Sequence, residues 1–337
     1  MITASPGARI TSAALADWRQ LWRDAITDGR ELLDLLQLGH LADRLPADDA
    51  GFALRVPRGF VARMRQGDAR DPLLLQVLPQ LAELDQVPGF VEDAVGDLAS
   101  REAQGVLHKY QGRALLIASG SCAINCRYCF RRHFPYGDEM AAAGQWRQAL
   151  EHVRRDTSIN ELILSGGDPL SLATSKLQEL SQGLSDLAHI TRLRIHTRLP
   201  VVLPERIDGP FIEWLRSLPH QKVVVLHANH ANEFDASVDA ACARLREAGA
   251  TLLNQSVLLR GINDDTNRLS ELSERMFAAG VLPYYLHQLD RVQGAAHFEV
   301  DDALALSLIE SMRRQLPGYL VPKLVREVGG DPSKRPL

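Results

Sequence analysis

The apolar positions change rhythm near residue 112. Before it they recur every three or four residues: Leu15, Trp18, Trp22 and Ile26 fall on one face of a helix. Residues 31–38 predict a second short helix, closed by Gly39. Pro46, Pro57, Pro72, Pro79 and Pro88 then punctuate the chain, so helices there must be short. After Gly112, short apolar runs at 114–118, 161–164, 193–196, 222–227, 251–257 and 282–287 suit buried strands. Their starts lie 47, 32, 29, 29 and 31 residues apart, close to the size of one strand-plus-helix unit. Helical stripes fill the intervals. They are Trp146, Ala149, Leu150 and Val153; Val238, Ala241, Cys242 and Leu245, stopping at Gly249; Leu269, Leu272 and Met276, stopping at Gly280; and Ala305, Leu308, Ile309 and Met312.

Strands alternating with helices predict an α/β fold with a parallel sheet, because a parallel crossover needs a helix-length connection. Six units form an open, partial barrel or a doubly wound sheet. Either way the functional loops lie beyond the carboxyl ends of the strands.

Composition narrows the class. A chain of 337 residues, 45% hydrophobic and 24% charged, is one large or two ordinary globular domains. Net charge is 38 − 42 = −4, so no basic field points to nucleic acid or an anionic membrane. Residues 1–10 carry no apolar signal core, and no apolar run approaches the ~18 residues of a membrane span. A cytoplasmic protein is expected. Four cysteines are too few for a disulfide scaffold.

Three of those cysteines form Cys122-x3-Cys126-x2-Cys129 directly after the first predicted strand, while Cys242 reads as a small core residue. This is not a zinc-finger spacing, and only His133 stands nearby as a fourth ligand. Three thiolates suit a [4Fe–4S] cluster with one iron left open; a structural zinc site is the alternative. The second strand ends in Ser165-Gly166-Gly167-Asp168-Pro169. Paired glycines let a ligand approach the backbone closely, although Gly-Gly-Asp-Pro alone is a common turn.

CxxxCxxC after the first of six strand–helix units resembles the radical S-adenosylmethionine (SAM) superfamily. Further segments resemble the lysine 2,3-aminomutase family: Thr197-Arg198-Leu199-Pro200, His227-Ala-Asn-His230, Asn254-Gln255-Ser256-Val257, Pro283-Tyr284-Tyr285, Gln293-Gly294-Ala-Ala-His297-Phe298 and Gly318-Tyr319-Leu-Val321-Pro322. The likeness spans about residues 55–334. It implies a partial (β/α)6 barrel at 111–316, an N-terminal helical region at 1–110 and a C-terminal segment at 317–337. It also implies pyridoxal 5′-phosphate (PLP) on Lys334, with Asp331-Pro332-Ser333 standing where typical members continue with glycines.

By the same resemblance, Cys122, Cys126 and Cys129 hold the cluster. Ser165, Gly166, Gly167 and Asp168 receive the SAM amino group, and His227 and Gln255 line the SAM pocket. Arg113 contacts the PLP phosphate and Arg131 the substrate carboxylate. Asp290 and Glu327 hold the side-chain ammonium of lysine, Glu327 standing where the typical enzyme has Asp. The implied reaction turns L-lysine into (R)-β-lysine through a 5′-deoxyadenosyl radical and a PLP imine. A reductant such as flavodoxin or ferredoxin would feed the cluster. Only Arg335-Pro336-Leu337 follow Lys334; such a tail resembles the EpmB branch, whose product a ligase attaches to elongation factor P. Two other readings fit: a radical SAM enzyme with another amino acid or without PLP, and a non-catalytic iron–sulfur or zinc protein.

Overall fold

The computed structural model describes residues 17–137, 139–144 and 146–337. Ten strands lie in chain order across one sheet: β1 (Arg101–Ala103), β2 (Val106–Tyr110), β3 (Arg113–Ser119), β4 (Glu161–Gly166), β5 (Arg192–Thr197), β6 (Gln221–His227), β7 (Ala250–Val257), β8 (Leu282–His287), β9 (Lys323–Arg326) and β10 (Arg335–Pro336). Strands β3 to β9 are parallel throughout. β1 and β2 add antiparallel at one edge, and β10 adds antiparallel at the other. The six predicted strands are β3 to β8. The segment after 317 contributes a seventh parallel strand, and the stretch read as helical ends in the β1–β2 hairpin.

Strands β5 and β7 alternate in burial along their length. Leu193 and Ile195 of β5 and Leu252 of β7 are buried under the helices. Their neighbours Arg194, His196, Gln255 and Val257 face a common lumen. Residues from β2 through β8, with Glu327 just past β9 and Lys334 just before β10, line that one space, so the sheet curls into an open, partial barrel.

The four predicted stripes are the helices Arg147–Arg155, Ala236–Glu247, Thr266–Ala278 and Asp302–Gln315. Asp235, Asp265 and Asp301 cap the last three, their carboxylates accepting from first-turn N–H groups. Gly249 (φ +86°) and Gly280 (φ +76°) follow the ends of two of them in the left-handed region. The helices Thr174–Leu184 and Gly209–Ser217 complete the outer layer.

The first helix covers only Trp18–Arg23, capped by Asp17. Ile26 is not on it; it forms an isolated bridge with Val56. Leu15 and residues 1–10 lie outside the described residues. The second helix is Gly29–Leu35, and Gly39 opens a short 3-10 turn rather than closing the helix. Between the prolines the helices are short, as at Arg58–Val61, Leu74–Gln76 and Leu81–Leu84. Among the described residues no helix is long and apolar enough to cross a membrane.

Candidate active site

A cavity of about 340 Å³ fills the lumen. Cys122, Cys126 and Cys129, on the loop after β3, line it as free thiols. Burial, aided by the neighbouring thiols, pushes Cys122 well above the usual thiol range and Cys129 up to about 11. Left alone these are poor thiolates; bound iron would deprotonate them. Among the described residues no three His, Cys, Asp or Glu side chains form a single-ion cage. A four-iron cube spreads its ligands wider than one ion does, so the donor set fits a cluster. His133 points elsewhere, its Nε2 3.2 Å from the Gln293 carbonyl. Cys242 is fully buried in the core.

The residues between the cysteines anchor the loop. The Arg127 guanidinium is fully buried and donates from Nε to Glu83 (2.8 Å) and from Nη2 to the Asp49 carbonyl (2.8 Å). Tyr128 stacks on His227 (ring centroids 5.7 Å), and its hydroxyl lies 3.0 Å from His227 Nε2. Burial drops the His227 imidazole to about 3, so it is neutral.

Beside this loop runs Ser165-Gly166-Gly167-Asp168. A Cβ on Gly167 would come 2.7 Å from the Ser121 carbonyl oxygen, so only glycine lets the loops after β3 and β4 approach this closely. Gly166 adopts φ +116°. The Asp168 carboxylate accepts from Thr197 Oγ1 (2.7 Å) and from the N–H groups of Arg198 (2.7 Å), Leu170 (2.9 Å) and Leu199 (3.2 Å). It ties the end of β4 to the end of β5. Both its oxygens are engaged within the protein. Burial outweighs those bonds and raises its pKa to about 6. Gln255, on β7, also faces the lumen.

A chain of charges crosses the other side of the cavity. Arg131 donates from Nε to Asp97 (2.6 Å) and from Nη1 to Ser165 Oγ (3.1 Å). Lys109 joins Asp97 (2.6 Å) to Glu327 (3.1 Å), and Glu327 also pairs with Lys334. Burial alone would raise the Glu327 carboxyl, but the Lys334 and Lys109 ammonium groups prevail and hold it at about 2. Asp290 is the contrast. Its Oδ1 is buried without a partner, and burial plus the Glu327 charge lift it to about 7. Arg113 lies against the Tyr110 ring, 4.6 Å from its centroid. Lys334 and Arg113 place an amine and a guanidinium in one chamber, groups that suit an anionic aldehyde cofactor.

The cavity therefore brings together all fourteen site residues that the family resemblance implies. It also contains Asp97, Lys109, Tyr110, Arg194, His196, Arg198 and His287, which sequence reasoning passed over. For β5 a signal existed. Arg192-Leu-Arg194-Ile-His196 places charge at every second position of a strand buried between layers, which marks a polar lumen.

Residues 111–192, with the cysteine loop, match the family described as a 4Fe-4S single cluster domain. The chain is 49% identical to the L-lysine 2,3-aminomutase of Escherichia coli (strain K12), the alignment covering 95% of this chain and 94% of that one. The chain belongs to the lysine 2,3-aminomutase family. The Haemophilus influenzae L-lysine 2,3-aminomutase is 43% identical, over 94% of this chain and 94% of that one. The Clostridium subterminale L-lysine 2,3-aminomutase is 30% identical, over 97% of this chain and 79% of that one. Family membership makes the chain an isomerase that uses a [4Fe–4S] cluster, SAM and PLP.

Proposed function

We propose that the chain converts L-lysine to (R)-β-lysine, and that the product serves the modification of elongation factor P. One observation carries the reading: three free thiols and the Lys334–Glu327–Asp290 group face the same cavity. The cluster with SAM supplies an alkyl radical able to take hydrogen from an unactivated carbon, and PLP supplies the conjugated system through which an amino group can shift.

The protein's own groups bind and orient. Cys122, Cys126 and Cys129 hold the cluster. Ser165 and the backbone at Gly166, Gly167 and Asp168 offer polar contacts for the SAM amino group, with His227 and Gln255 completing that pocket. Lys334 carries PLP and Arg113 its phosphate. Arg131, pinned by Asp97 through Nε, keeps an Nη edge for the substrate carboxylate. Asp290 and Glu327 complement an ε-ammonium; a glutamate mutase would need a cation there instead. Enclosure keeps water away from reactive species. The same reading divides the chain at 110 and 316, leaving Lys334 on the last segment, and places the protein in the cytoplasm with flavodoxin or ferredoxin as electron donor.

Anaerobic reconstitution with iron, sulfide, PLP, SAM, reductant and L-lysine should yield (R)-β-lysine. SAM cleavage with glutamate or another amino acid in place of lysine, and none with lysine, would refute the substrate assignment.

A further inference from the structure

Arg198, the residue after β5, has no part in the scheme above, yet its guanidinium meets the cysteine loop. Nη1 donates to Cys126 Sγ (2.6 Å) and to the Tyr128 hydroxyl (2.8 Å). Nη2 donates to Gln76 Oε1 (2.6 Å) and Glu233 Oε2 (2.9 Å). Its Nε is buried without a partner. The side chain is 6% exposed and that of Glu233 is 0%, so water screens neither charge well. Glu233 is itself fixed, accepting from the N–H groups of Asn229 (2.7 Å) and His230 (3.1 Å). The backbone fixes Arg198 as well, its N–H bonded to Asp168.

A buried N–H donor on a ligating sulfur does more than hold a loop. One-electron reduction of [4Fe–4S]²⁺ to [4Fe–4S]⁺ adds negative charge that spreads onto the cysteine sulfurs. A hydrogen bond to such a sulfur and a fixed positive charge beside it both stabilise the reduced form. We infer that Arg198 is a redox-positioning residue: through Cys126 Sγ it raises the reduction potential of the cluster, and Glu233 trims that effect by holding and partly neutralising the guanidinium. The inference rests on the cluster assignment above.

The test is an EPR-monitored redox titration of the reconstituted protein with dithionite, without SAM. The EPR signal of the reduced wild-type cluster checks the cluster assignment separately. Arg198→Gln should move the midpoint to more negative potential. Glu233→Gln, which removes the anion and keeps the guanidinium, should move it to more positive potential. Arg198→Lys, which keeps the charge and loses the fork, should fall between wild type and Arg198→Gln. A purely structural clamp would change cluster loading or melting temperature and leave the midpoint of the loaded fraction where it was; that result overturns the inference. Should Arg198→Gln fail to load, Glu233→Gln decides: a positive shift upholds the inference, and an unmoved or negative one refutes it.

Discussion

Lys334 and Glu327 form an ion pair inside the cavity. The β9–β10 hairpin makes it, because the pairing of Arg335 with Arg326 sets the two preceding and following residues beside each other. A lysine near the end of the chain is thereby turned inward rather than left in solvent, where terminal residues ordinarily lie. Replacing Lys334 by alanine should abolish the visible absorbance of bound PLP and all mutase activity. The iron content and the EPR signal of the cluster should persist, since the thiols lie on a different loop.

The two acids should titrate in opposite directions. The Glu327 carboxyl sits at about 2, below its ordinary 4.5. It therefore contributes stability that is present above pH 4.5 and is lost as the pH falls toward 2. Glu327→Gln should flatten the acid limb of a plot of melting temperature against pH.

Asp290 sits at about 7, above its ordinary 3.8. Its neutral form favours folding below pH 3.8, and that contribution is lost as the pH rises through about 7. Attraction for a cation runs the other way and grows as the carboxyl ionises. KM for L-lysine should thus fall as the pH rises through about 7. Asp290→Asn should remove this dependence and raise KM by about 10- to 100-fold, the worth of one charge-assisted hydrogen bond. An unchanged KM in that variant would remove Asp290 from the substrate site.

The cysteines divide three to one. Serine at Cys122, Cys126 or Cys129 should each cut bound iron in anaerobic metal analysis. Cys242→Ala should leave iron content unchanged and cost only stability, since that thiol packs in the core.

Asp168 separates a strut from a ligand contact. Because its oxygens bind Thr197 and three backbone N–H groups, Asp168→Ala leaves several buried donors unpaired, each costing about 1–3 kcal/mol. Its melting temperature should drop sharply. A wild-type melting curve with weakened SAM binding would show instead that the carboxylate serves the ligand.

The barrel was legible because buried parallel strands and amphipathic helices leave different periodicities, and here they alternate cleanly. The glycines at 166 and 167 and the cysteine triplet were legible because each sits at or just past the carboxyl end of a strand. The charge chain was hidden by distance. Lys109 meets Glu327 218 residues away, and no local pattern announces such a pair. Asp97 and Lys109 also lie in the stretch read as helical, where a polar residue looks like a solvated face. β9 was hidden by brevity: four residues, Lys323–Arg326, carry too little alternation to read. Ile26 was misplaced because helical spacing continued past Arg23, while the chain turned at Asp24 to bridge with Val56.

The central claim is that the thiols and Lys334 serve one reaction in one chamber. Lysine carrying deuterium at C3 tests it most directly in the reconstituted enzyme. The account predicts deuterium both in the 5′-deoxyadenosyl group of recovered SAM and at C2 of β-lysine. β-Lysine formed with no deuterium in the deoxyadenosyl group would contradict it.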